Sequence, residues 1–115
     1  MLNPDLVRVK HMVDAAEEAI EFTKGKTRAD LEDNRMLSLS VVHLLEIIGE
    51  AANKVSPEFQ SKYNKIPWRG IIGMRNRLIH GYYDIDLNIV WKTVSSDIEP
   101  LLSELKNIIK YEECQ

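Results

Sequence analysis

Apolar residues in this chain recur at intervals of three and four, and that period constrains the fold more than any other feature. Leu37, Val41, Leu44, Ile48, Ala51 or Ala52, and Val55 form the clearest run. On a helix of 3.6 residues per turn they share one stripe, so the segment predicts a helix with one buried face. It starts near a cap at Asp33 and ends at Ser56-Pro57, because a residue before proline avoids the α region. Ser56 then caps a short turn from Pro57 to Tyr63. An earlier stripe (Leu6, Val9, Val13, Ala16, Ile20) follows Asn3 as N-cap and Pro4 at the first helical position. It stops at Lys24-Gly25, where glycine takes the left-handed conformation.

Between these two lies a polar connector, Lys26 to Glu32. A third helix is expected from Ile66-Pro67-Trp68 to His80-Gly81. A fourth follows the cap Asp86 with Leu87, Val90, Val94, Ile98, Leu101, Leu105 and Ile108, and Pro100 inside it predicts a kink or short break. Five glycines and four prolines in 115 residues leave little punctuation for a many-stranded β fold. The expected architecture is all-α: one domain, residues 1–115, an antiparallel up-down four-helix bundle with a kinked last helix. The long stripes also suit a helix-mediated homodimer.

Several functional classes fall away. Cys114 is the single cysteine, so neither an internal disulfide nor a cysteine-rich metal site is expected. Met1-Leu2-Asn3-Pro4-Asp5 does not read as a signal peptide, and no stretch approaches the roughly 18 apolar residues of a membrane span. A soluble cytoplasmic protein with no membrane contact is expected. There is no Gly-rich phosphate loop and no His-Glu-x-x-His, so neither cofactor nor metal is expected. His43 and Glu46 have a spacing that could hold a metal on a bundle wall, but matching carboxylates on other helices are lacking. Glu46 and Glu50, one turn apart, read as paired acids or, for Glu50, as partner to an arginine of the third helix. His11 reads as surface.

The charge distribution is more informative than the net charge of −3. From Phe59 to Tyr83 the chain carries Lys62, Lys65, Arg69, Arg75, Arg77 and His80 and no acid; the remainder holds 10 basic and 18 acidic residues. A positive window on a negative protein suits a compact anion, or a solvated basic face. Within it Arg75, Asn76, Arg77, His80 and Tyr82 crowd one helix end, next to Gly70, Gly73 and Gly81. Glycine inside a helix costs roughly 1 kcal/mol, so Gly70 and Gly73 imply close approach by a helix or ligand. Arginine holds a phosphate through paired N–H bonds, and histidine exchanges a proton near neutral pH. Together they suffice in principle to cleave RNA by 2′-hydroxyl attack. Five residues along a helix turn Arg75 and His80 about 140° apart, so they converge only if the helix frays or a second chain completes the site. The spacing equally admits structural roles: Arg75 paired with Glu50, His80 capping a helix C-terminus, Tyr82 packed.

The run Ile66-Pro67-Trp68-Arg69-Gly70-Ile71-Ile72-Gly73-Met74-Arg75-Asn76-Arg77-Leu78-Ile79-His80-Gly81-Tyr82 resembles the signature of the HepT-like proteins of the HEPN superfamily. Ile47-Ile48-Gly49-Glu50-Ala51-Ala52 is similar to that family's second-helix motif. The resemblance implies a HEPN-like fold and a homodimeric, metal-independent ribonuclease toxin of a type VII-like toxin–antitoxin pair. Its partner would be a minimal nucleotidyltransferase antitoxin. Arg75 and His80 would be catalytic, with Asn76, Arg77 and Arg69 orienting the site or binding RNA. Tyr82, or adjacent Tyr83, would receive AMP from the antitoxin and silence the toxin. The competing implication is a non-catalytic helical module that binds a nucleotidyltransferase and helps present its substrate.

Overall fold

The helix ends are fixed by short polar side chains at the chain's punctuation points. The computed structural model describes residues 3–80 and 84–114. Helix α1 (Pro4–Thr23) opens where Asn3 Oδ1 accepts the amides of Asp5 and Leu6 at 2.9 and 3.4 Å. Gly25 follows it with φ +72°, the left-handed turn expected there. The polar connector contains a helix, α2 (Arg28–Asp33), because Asp30 reaches back to the Thr27 amide at 2.7 Å and closes a capping box. Helix α3 (Arg35–Asn53) is capped by Asn34, one residue beyond the expected Asp33. Ser56 caps α4 (Pro57–Lys62) through Phe59 N–H, and Asp5 grips Ser56 in turn at 2.8 and 2.7 Å, tying α4 to the start of α1.

The third expected helix is where the structure departs furthest. It is two short helices, α5 (Trp68–Ile72) and α6 (Met74–Leu78), broken at Gly73. The chain then turns extended: β1 (Ile79–His80) pairs antiparallel with β2 (Asp84–Ile85), Ile79 opposite Ile85 and His80 opposite Asp84. Asp86 caps α7 (Leu87–Lys92), as expected. A wide π turn over Thr93–Asp97 leads into α8 (Ile98–Glu113). Pro100 has no N–H and its ring crowds the carbonyl four residues back, so the expected irregularity sits just upstream of it.

Helix α1 packs against α3 and α8, while α5 and α6 lie against α3. Val9, Met12, Val41, Leu45, Ile48, Leu78, Ile98 and Leu105 are fully buried in one contiguous core. Burial contributes about 1.5–3 kcal/mol for each large side chain, which is what holds these faces together. By length and composition α3 resembles a membrane-crossing helix, but half of it is buried inside this core. The fold is all-α and HEPN-like apart from the two-stranded ladder.

The close approach expected at Gly70 and Gly73 lies elsewhere. A Cβ on Gly49 would sit 3.0 Å from the Ile71 carbonyl oxygen, whereas one on Gly70 would meet nothing within 4 Å. Gly49→Val is therefore expected to destabilise by about 1–3 kcal/mol, because backbone cannot yield as a flexible side chain does. Gly70→Ala is expected to stabilise by about 0.5–1 kcal/mol. Thermal denaturation decides: equal losses at the two positions would contradict this packing.

Candidate functional site

The basic window is partly spent on structure. Lys62 Nζ lies 2.8 Å from Glu112 Oε2, and the Tyr63 hydroxyl donates to the same oxygen. These bonds, that of Lys62 first, hold the Glu112 carboxyl below its ordinary range. Burial, reinforced by the bond to Glu112, pushes the Tyr63 phenol up to about 12. Lys62 thus anchors the end of α8 to α4. Lys65 and Arg69 are exposed and form no ion pair among the described residues.

Arg75, Asn76 and Arg77 occupy consecutive exposed positions on α6, held in place by buried Met74 and Leu78 on its inner side. Arg75 Nε donates to Glu46 Oε2 at 2.8 Å, so its partner comes from α3 but one turn before the expected Glu50. Both glutamates line a small cleft of about 60 Å³ with Gly49, Asn53, Ile72 and Arg75. Gly49, where α3 and α5 come close, is part of this lining. Arg77 Nη2 donates to the Gly70 carbonyl at 2.9 Å, bracing α6 against α5. The Asn76 side chain makes no hydrogen bond among the described residues.

His80 does not cap a helix. Helix α6 ends at Leu78, and Ile79 N–H already serves the Arg75 carbonyl. His80 stands in β1 with its side chain 64% exposed, and Nε2 lies 3.2 Å from Asp86 Oδ2. The hydrogen bond to His80, followed by that from the Ile89 amide, holds Asp86 below the ordinary aspartate range. The expected 140° divergence assumed a helix continuing through His80 and does not apply. Arg75 and His80 rest instead on different supports, α3 and the start of α7, and no hydrogen bond joins them. Tyr82, Tyr83 and Gly81 lie outside the described residues.

His43 is exposed and Glu46 is committed to Arg75. Among the described residues, no three His, Cys, Asp or Glu side chains form a cluster able to hold a metal. Sequence reasoning missed two carboxylates. Asp86 was legible as a helix cap but not as the partner of His80. Glu46 shares a face with Glu50, and no sequence signal separates them.

Arg75 and His80 are both exposed and each meets one carboxylate; an arginine can hold an anion and a histidine can exchange a proton. Comparison with known proteins agrees with a nucleic-acid chemistry. The family profile described as Ribonuclease HepT-like matches residues 12–108. The chain is 36% identical over 104 residues to "Putative RNase TTE0752" of Caldanaerobacter subterraneus, covering 90% of this chain and 93% of that protein. It is 36% identical over 95 residues to "Putative RNase MJ1380" of Methanocaldococcus jannaschii, covering 83% and 87%. It is 33% identical over 102 residues to "Probable ribonuclease HepT" of Thermococcus cleftensis, covering 89% and 93%. No solved structure matches. With the match spanning nearly the whole chain, the protein belongs to the HepT-like ribonuclease family.

Proposed function

We propose that the chain is a metal-independent RNA endonuclease toxin, acting in the cytoplasm and silenced when a nucleotidyltransferase transfers AMP from ATP to Tyr82. The observation that carries this reading is the exposed Arg75 and His80 in a stretch of sequence without acids, each held by one carboxylate from outside that stretch. His80 draws the proton from a ribose 2′-hydroxyl, which attacks the adjacent phosphorus. Arg75 neutralises the charge that gathers on the phosphoryl oxygens. Arg69, exposed on α5, and Asn76 and Arg77, exposed on α6, guide the RNA backbone. The active assembly is read as a homodimer in which two copies face one RNA, on the family resemblance and the long apolar stripes of the helices.

Tyr82 is two residues from His80 in the chain, so an AMP group there places negative charge and bulk where an RNA phosphate should sit. The test is to incubate the purified protein with ATP, magnesium and a minimal nucleotidyltransferase, the proposed antitoxin. Mass spectrometry locates the AMP, and RNA cleavage is measured before and after. Expected are one AMP on Tyr82 and loss of cleavage; modification at neither Tyr82 nor Tyr83 removes this control.

A second reading is a non-catalytic module that docks on a nucleotidyltransferase and helps present its substrate. The engagement of Arg75 by Glu46 favours it, since the arginine already has an anion partner. No RNase activity in partner-free protein, together with stable copurification, would select this reading.

A further inference from the structure

Asp86 uses its two carboxylate oxygens for different purposes. Oδ1 accepts the Ile89 amide at 3.2 Å and so caps α7. Oδ2 lies 3.2 Å from His80 Nε2. Backbone fixes both ends of the second contact. His80 is paired with Asp84 across the ladder, and the Asp86 amide donates to the Leu78 carbonyl at 2.7 Å. Capping needs only one oxygen, so the fold leaves the contact with His80 unexplained.

We propose that Asp86 is the positioning residue of His80, holding Nε2 as a hydrogen-bond donor and leaving Nδ1 as the atom that takes the proton of the RNA 2′-hydroxyl. The inference rests on the reading of His80 as general base. An ionised carboxylate only accepts hydrogen bonds. Asp86, held below its ordinary range, is ionised at neutral pH. The nitrogen facing it must then carry the ring's proton, and the lone pair of the neutral imidazole falls on Nδ1. In the reaction Nδ1 takes the 2′-hydroxyl proton, the O2′–P bond forms and the P–O5′ bond breaks. The 5′ oxygen takes a proton from water, and the hydroxide left behind receives the one that Nδ1 releases. The products are a 2′,3′-cyclic phosphate and a 5′-hydroxyl end. The imidazolium formed on the way faces Asp86, whose charge steadies it. The His80 side chain is 64% exposed, and among the described residues Asp86 is its hydrogen-bond partner.

Asp86→Asn separates this role from capping, because Asn and Asp are about equally good N-caps. The asparagine oxygen remains committed to the Ile89 amide, so its NH₂ group faces Nε2. That nitrogen must now accept, and the proton moves to Nδ1, the atom that should be the base. Nitrogen-15 NMR of the imidazole is expected to show Nε2 protonated in the parent and Nδ1 protonated in the variant. The kcat for RNA cleavage should fall at least about ten-fold while KM stays within about two-fold. Added to His80→Ala, the substitution should cost nothing further. Asp86→Ser, which caps without presenting an amide to the ring, should lose less than Asp86→Asn. The same tautomer in parent and Asn protein, or an unchanged kcat, overturns the proposal. If the parent protein cleaves no RNA, the nuclease reading fails by itself, and the tautomer measurement still decides what Asp86 does.

Discussion

Replacing His80 by alanine should reduce RNA cleavage by about 10²–10⁴-fold, the usual worth of a positioned general base. The substitution removes a mostly exposed ring from a two-residue strand, so it leaves the core intact. The melting temperature should change little, since surface substitutions away from caps and buried networks stay within about 0.5 kcal/mol. Asp86 would keep its bond to the Ile89 amide, and α7 its cap. The loss should fall on kcat, because the base acts on the 2′-hydroxyl and not on the bound phosphate. Expression of the variant should no longer arrest growth. A His80→Ala protein that cleaves RNA and arrests growth as the parent does would end the case for this residue as the base.

What could be read ahead of the structure follows a physical division. Asn3, Ser56 and Asp86 were legible as caps because a cap is a contact between a side chain and an amide two or three residues on. The stripes of α1, α3 and α8 were legible because each repeats one local geometry many times. The end of the third helix was not, because it depends on a ladder closed across the chain: Ile79 with Ile85, His80 with Asp84. Tertiary pairing overrides helix propensity there. The glycines misled for a related reason. Gly70 looked crowded because it interrupts a helix, yet the crowded position is Gly49, where α5 crosses α3. Arg75 meets Glu46 and not Glu50, and sequence spacing carries no information about that choice. The candidate residues could be named from the sequence, whereas their partners are set by contacts between elements.

Arg75→Ala should be the second large loss, roughly 10²–10³-fold in cleavage, the scale of removing a preorganised donor to a developing charge. Arg75 presents Nε–H to Glu46 and keeps its remaining N–H groups for an anion. Glu46 therefore orients the guanidinium without consuming it. Lysine offers a point charge with three rotating donors and cannot hold Glu46 and a phosphate in the same planar geometry, so Arg75→Lys should recover little of the rate. Stability is a poor explanation for either loss: the Arg75 and Glu46 side chains are 53% and 28% exposed, and such a pair contributes about 0–1 kcal/mol. Salt dependence supplies an independent readout. Each phosphate contact on a single strand contributes about −0.7 to the slope of log affinity against log salt, so Arg75→Ala should flatten that slope by one such step. Glu46→Gln keeps an acceptor for Nε–H but removes a negative charge beside the phosphate. It should lower KM for RNA while leaving kcat within a few-fold. Unchanged cleavage and an unchanged salt slope in Arg75→Ala would mean that the phosphate is held elsewhere in the basic window, with Arg69 and Lys65 as the exposed cations to examine next.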